Sequence, residues 1–205
     1  MRRAPKIVVV GGTGTIGARV VTRLRAKGMT VVVASRASGV DLVTGEGLPE
    51  ALTGAEVVID VSKTRSRDPD RISEFFSRAG ENLTTMEHAA GVGHHIMLSI
   101  VGTDRAPGVP FYAAKTALER TIRANDVPFT ILHTTQFFEF APGIAQSASD
   151  PHTNLVRLPP LLVQPVAGED VAAALAQLAG MSPAMRDMDS LAPKSLSLMT
   201  SCAPR

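Results

Sequence analysis

Residues 7–17 read Ile7-Val8-Val9-Val10-Gly11-Gly12-Thr13-Gly14-Thr15-Ile16-Gly17, and this stretch decides the fold. Its first four residues form an unbroken β-branched run, which is typical of a strand buried on both faces of a parallel sheet. Glycines then recur at every third position. Apolar residues at helical spacing follow and predict a helix over residues 15–27. The stretch therefore predicts a strand, a tight glycine turn and a helix in immediate succession.

The same alternation continues along the chain. Further apolar runs predict strands at residues 31–34, 40–43, 56–61, 95–100, 129–132 and 161–163. Amphipathic segments predict helices at residues 48–52, 69–90, 110–124 and 169–180. Strands separated by helices need right-handed crossovers, so the pattern predicts an α/β fold with a doubly wound parallel sheet of the Rossmann type.

The chain has 205 residues, which is enough for a single domain with a full hydrophobic core. We expect this domain to span residues 1–180, with a small substrate-side segment at residues 134–165. After Gly180 the sequence turns to Ser, Pro and Met without a usable period. Residues 181–205 are therefore expected to form a loosely ordered C-terminal tail.

Composition excludes several classes of protein. The 21 basic and 19 acidic residues are dispersed, so a net charge of +2 does not indicate a nucleic-acid partner. A single cysteine, Cys202, rules out a disulfide framework within the chain. No stretch approaches the roughly 20 apolar residues of a membrane-spanning helix. We expect a cytoplasmic protein without a membrane partner.

The glycine turn is a candidate phosphate-binding site. Gly11 permits the tight turn, Gly14 lets a pyrophosphate approach the backbone, and Gly17 lets the helix pack closely on the strand. Amides at the start of that helix would face the phosphates, and the helix dipole favours their charge. The alternative is a glycine-rich turn without a ligand. The predicted dinucleotide-binding residues are Gly11, Thr13, Gly14, Thr15, Ile16 and Gly17.

Several motifs carry a resemblance to a known family. The spacing Gly-x-x-Gly-x-x-Gly resembles that of the extended and atypical short-chain dehydrogenases/reductases. The later segments Ala34-Ser35-Arg36, Thr44-Gly45-Glu46, Ile59-Asp60-Val61-Ser62, Leu98-Ser99-Ile100-Val101-Gly102 and Thr135-Gln136-Phe137-Phe138 are similar to the NmrA-like atypical branch. The resemblance covers roughly residues 6–180. It implies an NAD(P)-binding oxidoreductase in which Glu46, Asp60, Val61 and Ser62 lie beside the adenine and its ribose.

The residues after the second strand bear on the choice of cofactor. A carboxylate there would bind the ribose hydroxyl of NAD, whereas a cation favours the 2′-phosphate of NADP. The sequence offers Ser35 and Arg36, so we predict NADP. In the alternative, Arg36 is solvated, and Asp41 or Glu46 serves NAD. Downstream, Lys63, Arg65 and Arg67 form a basic loop that we interpret as solvated rather than phosphate-binding.

The resemblance also implies a serine, and a tyrosine four residues before a lysine, as the reacting groups. Here the candidates are Ser99, Tyr112 and Lys115, but the tyrosine precedes the lysine by only three residues. On a helix this changes their relative direction by about 100°. Lys115 then either holds the nicotinamide ribose and assists proton transfer without the tyrosine, or only binds the cofactor.

Two functions remain open at this point. Phenylalanines within residues 136–140 follow a predicted strand and would form either an apolar pocket wall or part of the core. With the pocket, the chain would transfer hydride from NADPH to a small carbonyl or quinone-like substrate. The alternative is a non-catalytic regulator that senses NADP(H). We expect no metal site, since the adjacent His94 and His95 would point to opposite faces of a strand.

Overall fold

Strands and helices alternate along most of the chain. The computed structural model describes residues 4–153, 155–158, 162–190 and 196–197. The strands are β1 (Lys6–Val10), β2 (Thr30–Ala34), β3 (Val57–Asp60), β4 (His94–Ile100), β5 (Phe129–Thr134), β6 (Leu162–Val163), β7 (Arg186–Ser190) and β8 (Leu196–Ser197). The α-helices are α1 (Thr15–Ala26), α2 (Leu48–Leu52), α3 (Pro69–Ala90), α4 (Pro110–Ala124), α5 (Ala141–Ser147) and α6 (Gly168–Leu178).

The main sheet has six parallel strands in the order β2-β1-β3-β4-β5-β7. From β1 the chain first winds outward to β2, then returns to place β3 on the other side of β1. This reversal opens a crevice beyond the carboxyl ends of β1 and β3, where ligands of such sheets bind. The predicted doubly wound Rossmann-type sheet is confirmed.

Strand β1 is buried on both faces because helices cover the sheet on both sides. Ile7 and Val9 pack toward α1 and α6, whereas Val8 and Val10 pack toward α2 and α3. A third cluster joins α3 and α4 over β4 and β5. This double cover explains why the strand is a continuous apolar run rather than an alternating one.

The predicted strand at residues 40–43 is wrong. These residues form a turn, in which the Asp41 carboxylate accepts hydrogen bonds from the amides of Val43, at 2.7 Å, and Thr44, at 3.2 Å. The side-chain amide of Asn82 donates to the carbonyls of Leu42 and Val43 at 2.9 and 3.0 Å. Side chains thus satisfy the backbone groups that a neighbouring strand would otherwise have to pair.

The expectation of a loose tail after residue 180 is wrong for residues 186–190. They form β7, which pairs in parallel with β5 at the edge of the main sheet. Asp187 accepts a hydrogen bond from Arg123 of α4 at 2.7 Å, and Met188 packs against the core. A polar edge strand with one inward methionine gives no apolar run for a sequence pattern to detect.

Strands β6 and β8 pair antiparallel in a separate two-stranded sheet, so the strand predicted at residues 161–163 is found at Leu162–Val163. Residues 191–195 and 198–205, including Cys202, lie outside the described residues. No helix in the described part of the chain is both long and apolar enough to cross a membrane.

Candidate functional site

The glycine turn links the end of β1 to α1, and its backbone packs tightly against its neighbours. Gly11 adopts a positive φ of 76°, and its amide donates to the Ala34 carbonyl at 2.9 Å. A Cβ atom on Gly17 would lie 2.3 Å from the Gly11 carbonyl oxygen. A Cβ on Gly11 would lie 2.9 Å from the Val61 carbonyl oxygen. The turn, the helix and the end of β3 are therefore packed backbone against backbone, as the fingerprint requires.

Helix α1 begins behind this turn, and its first backbone amides are free to donate hydrogen bonds. Gly14 is its N-cap residue and supplies no side-chain hydrogen bond to the first amides. A Cβ on Gly14 would meet only the Gly11 carbonyl oxygen, at 3.2 Å. Uncapped amides at a helix start, approached over a glycine, form a fitting cradle for an anionic phosphate group.

A cleft of about 700 Å³ opens at this edge of the sheet and runs from the glycine turn to the residues that follow β5. It brings together most of the residues predicted from the sequence. Those that line it are Gly11, Thr13, Gly14, Thr15, Ile16, Gly17, Ser35, Arg36, Val61, Ser62, Ser99, Tyr112 and Lys115. Two others, Glu46 and Asp60, do not line it.

At one end of the cleft, Ser35 and Arg36 follow directly on β2. Arg36 is exposed, and it pairs with no carboxylate among the described residues. Asp41 also lines the cleft here, but one of its carboxylate oxygens accepts the two amides of its own turn. Glu46 is exposed and lies outside the lining. The structure thus offers a free cation at this end.

The corner after β3 places Asp60 beneath the cleft rather than in its wall. Asp60 is buried, and its carboxylate accepts the Ser62 amide at 2.8 Å. Ser62 lines the cleft, and its buried hydroxyl has no hydrogen-bond partner within the described ranges. A buried hydroxyl without a partner is costly in a folded protein, which is consistent with a ligand hydrogen bond at this position.

Lys115 is buried in the floor of the cleft, near its middle. Its Nζ donates to the Leu98 carbonyl at 3.0 Å and lies 5.0 Å from the centroid of the Phe76 ring. Burial lowers the pKa of Lys115, while the negative charges of Asp60 and Glu119 oppose that effect. The ammonium keeps two further N–H groups beyond the one that holds Leu98.

The position four residues before Lys115 is occupied by Phe111, which sequence reasoning overlooked although counting back from the lysine would have found it. The Phe111 ring packs edge-on against Phe76 at 5.3 Å between centroids and has no proton to transfer. Tyr112 lines the cleft beside it and is half-buried. The tyrosine is therefore in the cleft but not at the family position.

Ser99 sits at the end of β4 with its proton already engaged. Its hydroxyl donates to the Glu119 carboxylate at 2.5 Å, and Glu119 also accepts hydrogen bonds from His133 and Arg123, each at 2.9 Å. Burial raises the pKa of Glu119, but these hydrogen bonds outweigh it and bring the pKa to about 2. An ionised Glu119 leaves the Ser99 oxygen free to accept a hydrogen bond but not to donate one into the cleft.

This network also contains a cluster of metal-ligating residue types. Ligand atoms of Glu119, His133 and Asp187 lie within 4.8 Å of one another. The Arg123 guanidinium, however, donates to both carboxylates, at 2.9 and 2.7 Å. The positive charge of Arg123 thus already offsets the charge of the Glu119 and Asp187 carboxylates. Hydrogen bonding to Glu119 raises the pKa of His133.

The adjacent histidines contact different elements. His94 bonds the Thr130 hydroxyl at 2.9 Å, whereas His95 contacts Glu87 at 2.8 Å. Their side chains therefore point away from each other, as the strand period predicts.

The aromatic segment after β5 forms the other end of the cleft. Phe137 and Phe140 both line it, with ring centroids 5.2 Å apart, and Phe140 remains 42% exposed. Between them, Glu139 accepts hydrogen bonds from Arg19 of α1 at 2.6 Å and from the Gly168 amide at 3.1 Å. The segment is thus fastened to α1 and α6 while its rings face the cleft.

Comparisons with known proteins agree with this geometry. A family model described as NAD(P)H-binding matches residues 11–181. The photosystem II assembly factor Ycf39 of Synechocystis sp. is 29% identical over 148 residues, which are 65% of this chain and 45% of that protein. Ycf39 of Trieres chinensis is 26% identical over 147 residues, covering 65% of this chain and 46% of that protein. The chain spans about half the length of these curated relatives.

Solved structures share the fold at low sequence identity. MoeE5 in complex with UDP-glucose and NAD superimposes with a TM-score of 0.78 at 18% identity, covering 95% of this chain and 79% of that chain. Triphenylmethane reductase from Citrobacter sp., complexed with NADP(H), gives 0.75 at 19% identity, covering 94% and 72%. Both likenesses concern the fold, and the two proteins bind different nicotinamide dinucleotides.

Proposed function

The chain belongs to the NAD(P)H-binding family, and from that premise we propose that it is an NADP(H)-dependent oxidoreductase of the atypical short-chain type. In this proposal it transfers hydride to a small carbonyl or quinone-like compound. The coarser expectation, an NAD(P)H-binding domain with the fold of short-chain dehydrogenases/reductases, is confirmed by the family match and the structural neighbours. Membership of the NmrA-like branch and a cytoplasmic location remain predictions.

One observation carries the proposal: a single cleft joins the glycine turn, the buried Lys115 ammonium and the aromatic segment after β5. The residues present fit a dinucleotide. Uncapped α1 amides and the small Gly14 suit the diphosphate, Arg36 suits a 2′-phosphate, and the unpartnered Ser62 hydroxyl suits a ribose or base contact. When bound, the cofactor supplies the hydride.

The proton for a carbonyl reduction then has to come from a group in the cleft. Lys115 is the best candidate, because burial lowers its pKa and two of its N–H groups are not used by Leu98. Phe111 cannot act as an acid, and the Ser99 proton is held by Glu119. Lys115 would therefore both hold the nicotinamide ribose and deliver the proton.

The same observations favour a second candidate, a non-catalytic protein that senses NADP(H). Phe111 stands where the family's tyrosine belongs, and the two curated relatives described above are named as assembly factors. A domain of this kind would bind the cofactor and change its contacts with a partner protein. Turnover is what separates the two candidates.

Incubation of the purified protein with NADPH and a panel of quinones and aromatic carbonyls tests the proposal. We expect oxidation of NADPH that saturates with both substrates and exceeds the rate without protein. Saturable binding of NADPH without oxidation above that background would instead support the sensing function.

The preference for NADP gives a separate prediction. Arg36→Ala is expected to weaken NADPH binding by about tenfold to a hundredfold, the usual loss for a charge-assisted hydrogen bond to phosphate. NADH affinity should change by less than about twofold, because NADH has no 2′-phosphate for a guanidinium to bind. Isothermal titration with each cofactor measures both losses.

Arg67→Ala is the matched control for this prediction. Arg67 is an exposed arginine on the loop after β3 and does not line the cleft. Its replacement by alanine removes the same single positive charge as Arg36→Ala does. The affinity of Arg67→Ala for both cofactors should stay at the wild-type value. Equal losses of NADPH and NADH affinity in Arg36→Ala would show that the 2′-phosphate lies elsewhere.

A further inference from the structure

The charge of the cleft is unbalanced. Among the described residues that line it, the cations are Arg36, Lys63, Arg65 and Lys115. Asp41 is the one carboxylate of that lining, and one of its two oxygens accepts the amides of its own turn. Under the proposed function, Arg36 binds the 2′-phosphate and Lys115 the nicotinamide ribose. Lys63 and Arg65 therefore have no ligand in that scheme.

These two cations lie on the loop between β3 and α3, and Lys63 lies beside the aromatic segment. The Nζ of Lys63 is 5.9 Å from the centroid of the Phe140 ring. Both side chains are exposed, and neither pairs with a carboxylate among the described residues. The sequence-based interpretation of a merely solvated loop does not account for their place in the wall of the cleft.

The surrounding wall is aromatic. Five aromatic residues line the cleft: Phe75, Phe111, Tyr112, Phe137 and Phe140. Each is only half-buried or exposed, so ring surface is left for a ligand to cover. Aromatic walls favour a flat ligand, because stacked and edge-on ring contacts add to simple burial of apolar area.

We propose that the substrate is a planar aromatic compound that carries an anionic group. Its ring packs among Phe137, Phe140 and their neighbours, and Lys63 and Arg65 bind the anion. This inference rests on the proposed function, since it names the substrate class of the same cleft. For a quinone the reaction balances: one hydride from NADPH and one proton reduce the ring to a hydroquinone and leave NADP⁺.

A matched pair of substrates tests this directly. We expect Lys63→Ala and Arg65→Ala each to lower kcat/KM for naphthoquinone sulfonate by about tenfold, the usual loss for one charge-assisted contact. For unsubstituted naphthoquinone the change should stay within about twofold, because it presents no anion. Comparing each variant with wild type cancels the different intrinsic reactivities of the two quinones. Arg67→Ala is the control, as an arginine on the same loop outside the cleft lining.

A binding measurement separates this inference from the proposed function. Naphthoquinone sulfonate is titrated into protein saturated with NADP⁺, which has no hydride to give. Tighter binding to wild type than to Lys63→Ala and Arg65→Ala supports the anion site even if no quinone is reduced. Failure of both quinones to turn over with NADPH counts against the proposed function alone.

Two results would overturn the inference. In the first, the variants bind the sulfonate as wild type does. In the second, they lose NADPH affinity while the sulfonate preference stays unchanged, which would assign Lys63 and Arg65 to the phosphates of the cofactor.

Discussion

Replacement of Gly17 by valine is expected to abolish measurable NADPH binding and to lower the free energy of unfolding by about 1–3 kcal/mol, the usual cost of overpacking. A Cβ at this position would lie 2.3 Å from the Gly11 carbonyl oxygen and 2.7 Å from the Gly12 Cα. Both contacts are backbone atoms. Hydrogen bonds from the Gly11 and Gly14 amides hold that turn, so α1 has to move away from it. The displaced amides then no longer point at one phosphate position.

Two further glycine variants separate packing from ligand approach. Gly14→Ala places its Cβ against a single protein atom, the Gly11 carbonyl oxygen at 3.2 Å, and intrudes mainly on the cleft. It should weaken NADPH binding with a smaller change in stability. Gly143→Ala is the control, because its Cβ would meet nothing within 4 Å and it lies outside the cleft lining. Urea unfolding and calorimetric titration report the two quantities. Wild-type NADPH affinity in Gly17→Val would remove the basis for a phosphate site at α1.

Short sequence patterns predicted those elements of the fold that depend on interactions within a few neighbouring residues. The buried run before Gly11 and the helix after Gly14 follow from burial and backbone freedom within a few residues. The turn at residues 40–43 was mispredicted because Asn82, some 40 residues away, satisfies its carbonyls. Strand β7 was missed for the same kind of reason, since its backbone pairs with β5 and Asp187 pairs with Arg123.

The candidate site was likewise predicted only in part from the sequence. The resemblance predicted that Ser99 and Lys115 would lie in one cleft, because strand ends and helix starts meet at the same edge of the sheet. It did not predict that Glu119 would accept hydrogen bonds from both the Ser99 hydroxyl and His133, since this network joins three elements distant in sequence. The placement of Lys63 against Phe140 also depends on two separate loops and has no local sequence signal.

Lys115→Met is expected to lower kcat for quinone reduction by about a hundredfold to ten-thousandfold, the range for loss of a group that transfers a proton. Methionine is one heavy atom shorter than lysine but keeps an unbranched apolar chain, so most of the floor of the cleft stays filled. The nearby carboxylates keep other partners, since Glu119 accepts from His133 and Arg123, and Asp60 from the Ser62 amide. Circular dichroism and steady-state kinetics with NADPH and naphthoquinone measure fold and rate.

Two controls decide between proton transfer and simple cofactor binding by Lys115. Lys115→Arg keeps a positive charge near the nicotinamide ribose, but a guanidinium does not release its proton at neutral pH. It should therefore recover NADPH affinity relative to Lys115→Met without recovering kcat. Tyr112→Phe should leave kcat within about threefold of wild type, because Tyr112 is not at the position from which the family's tyrosine acts. If Lys115→Arg recovered both quantities, the lysine would only bind cofactor. A loss of kcat in Tyr112→Phe as large as that in Lys115→Met would assign the proton to the tyrosine despite its three-residue spacing.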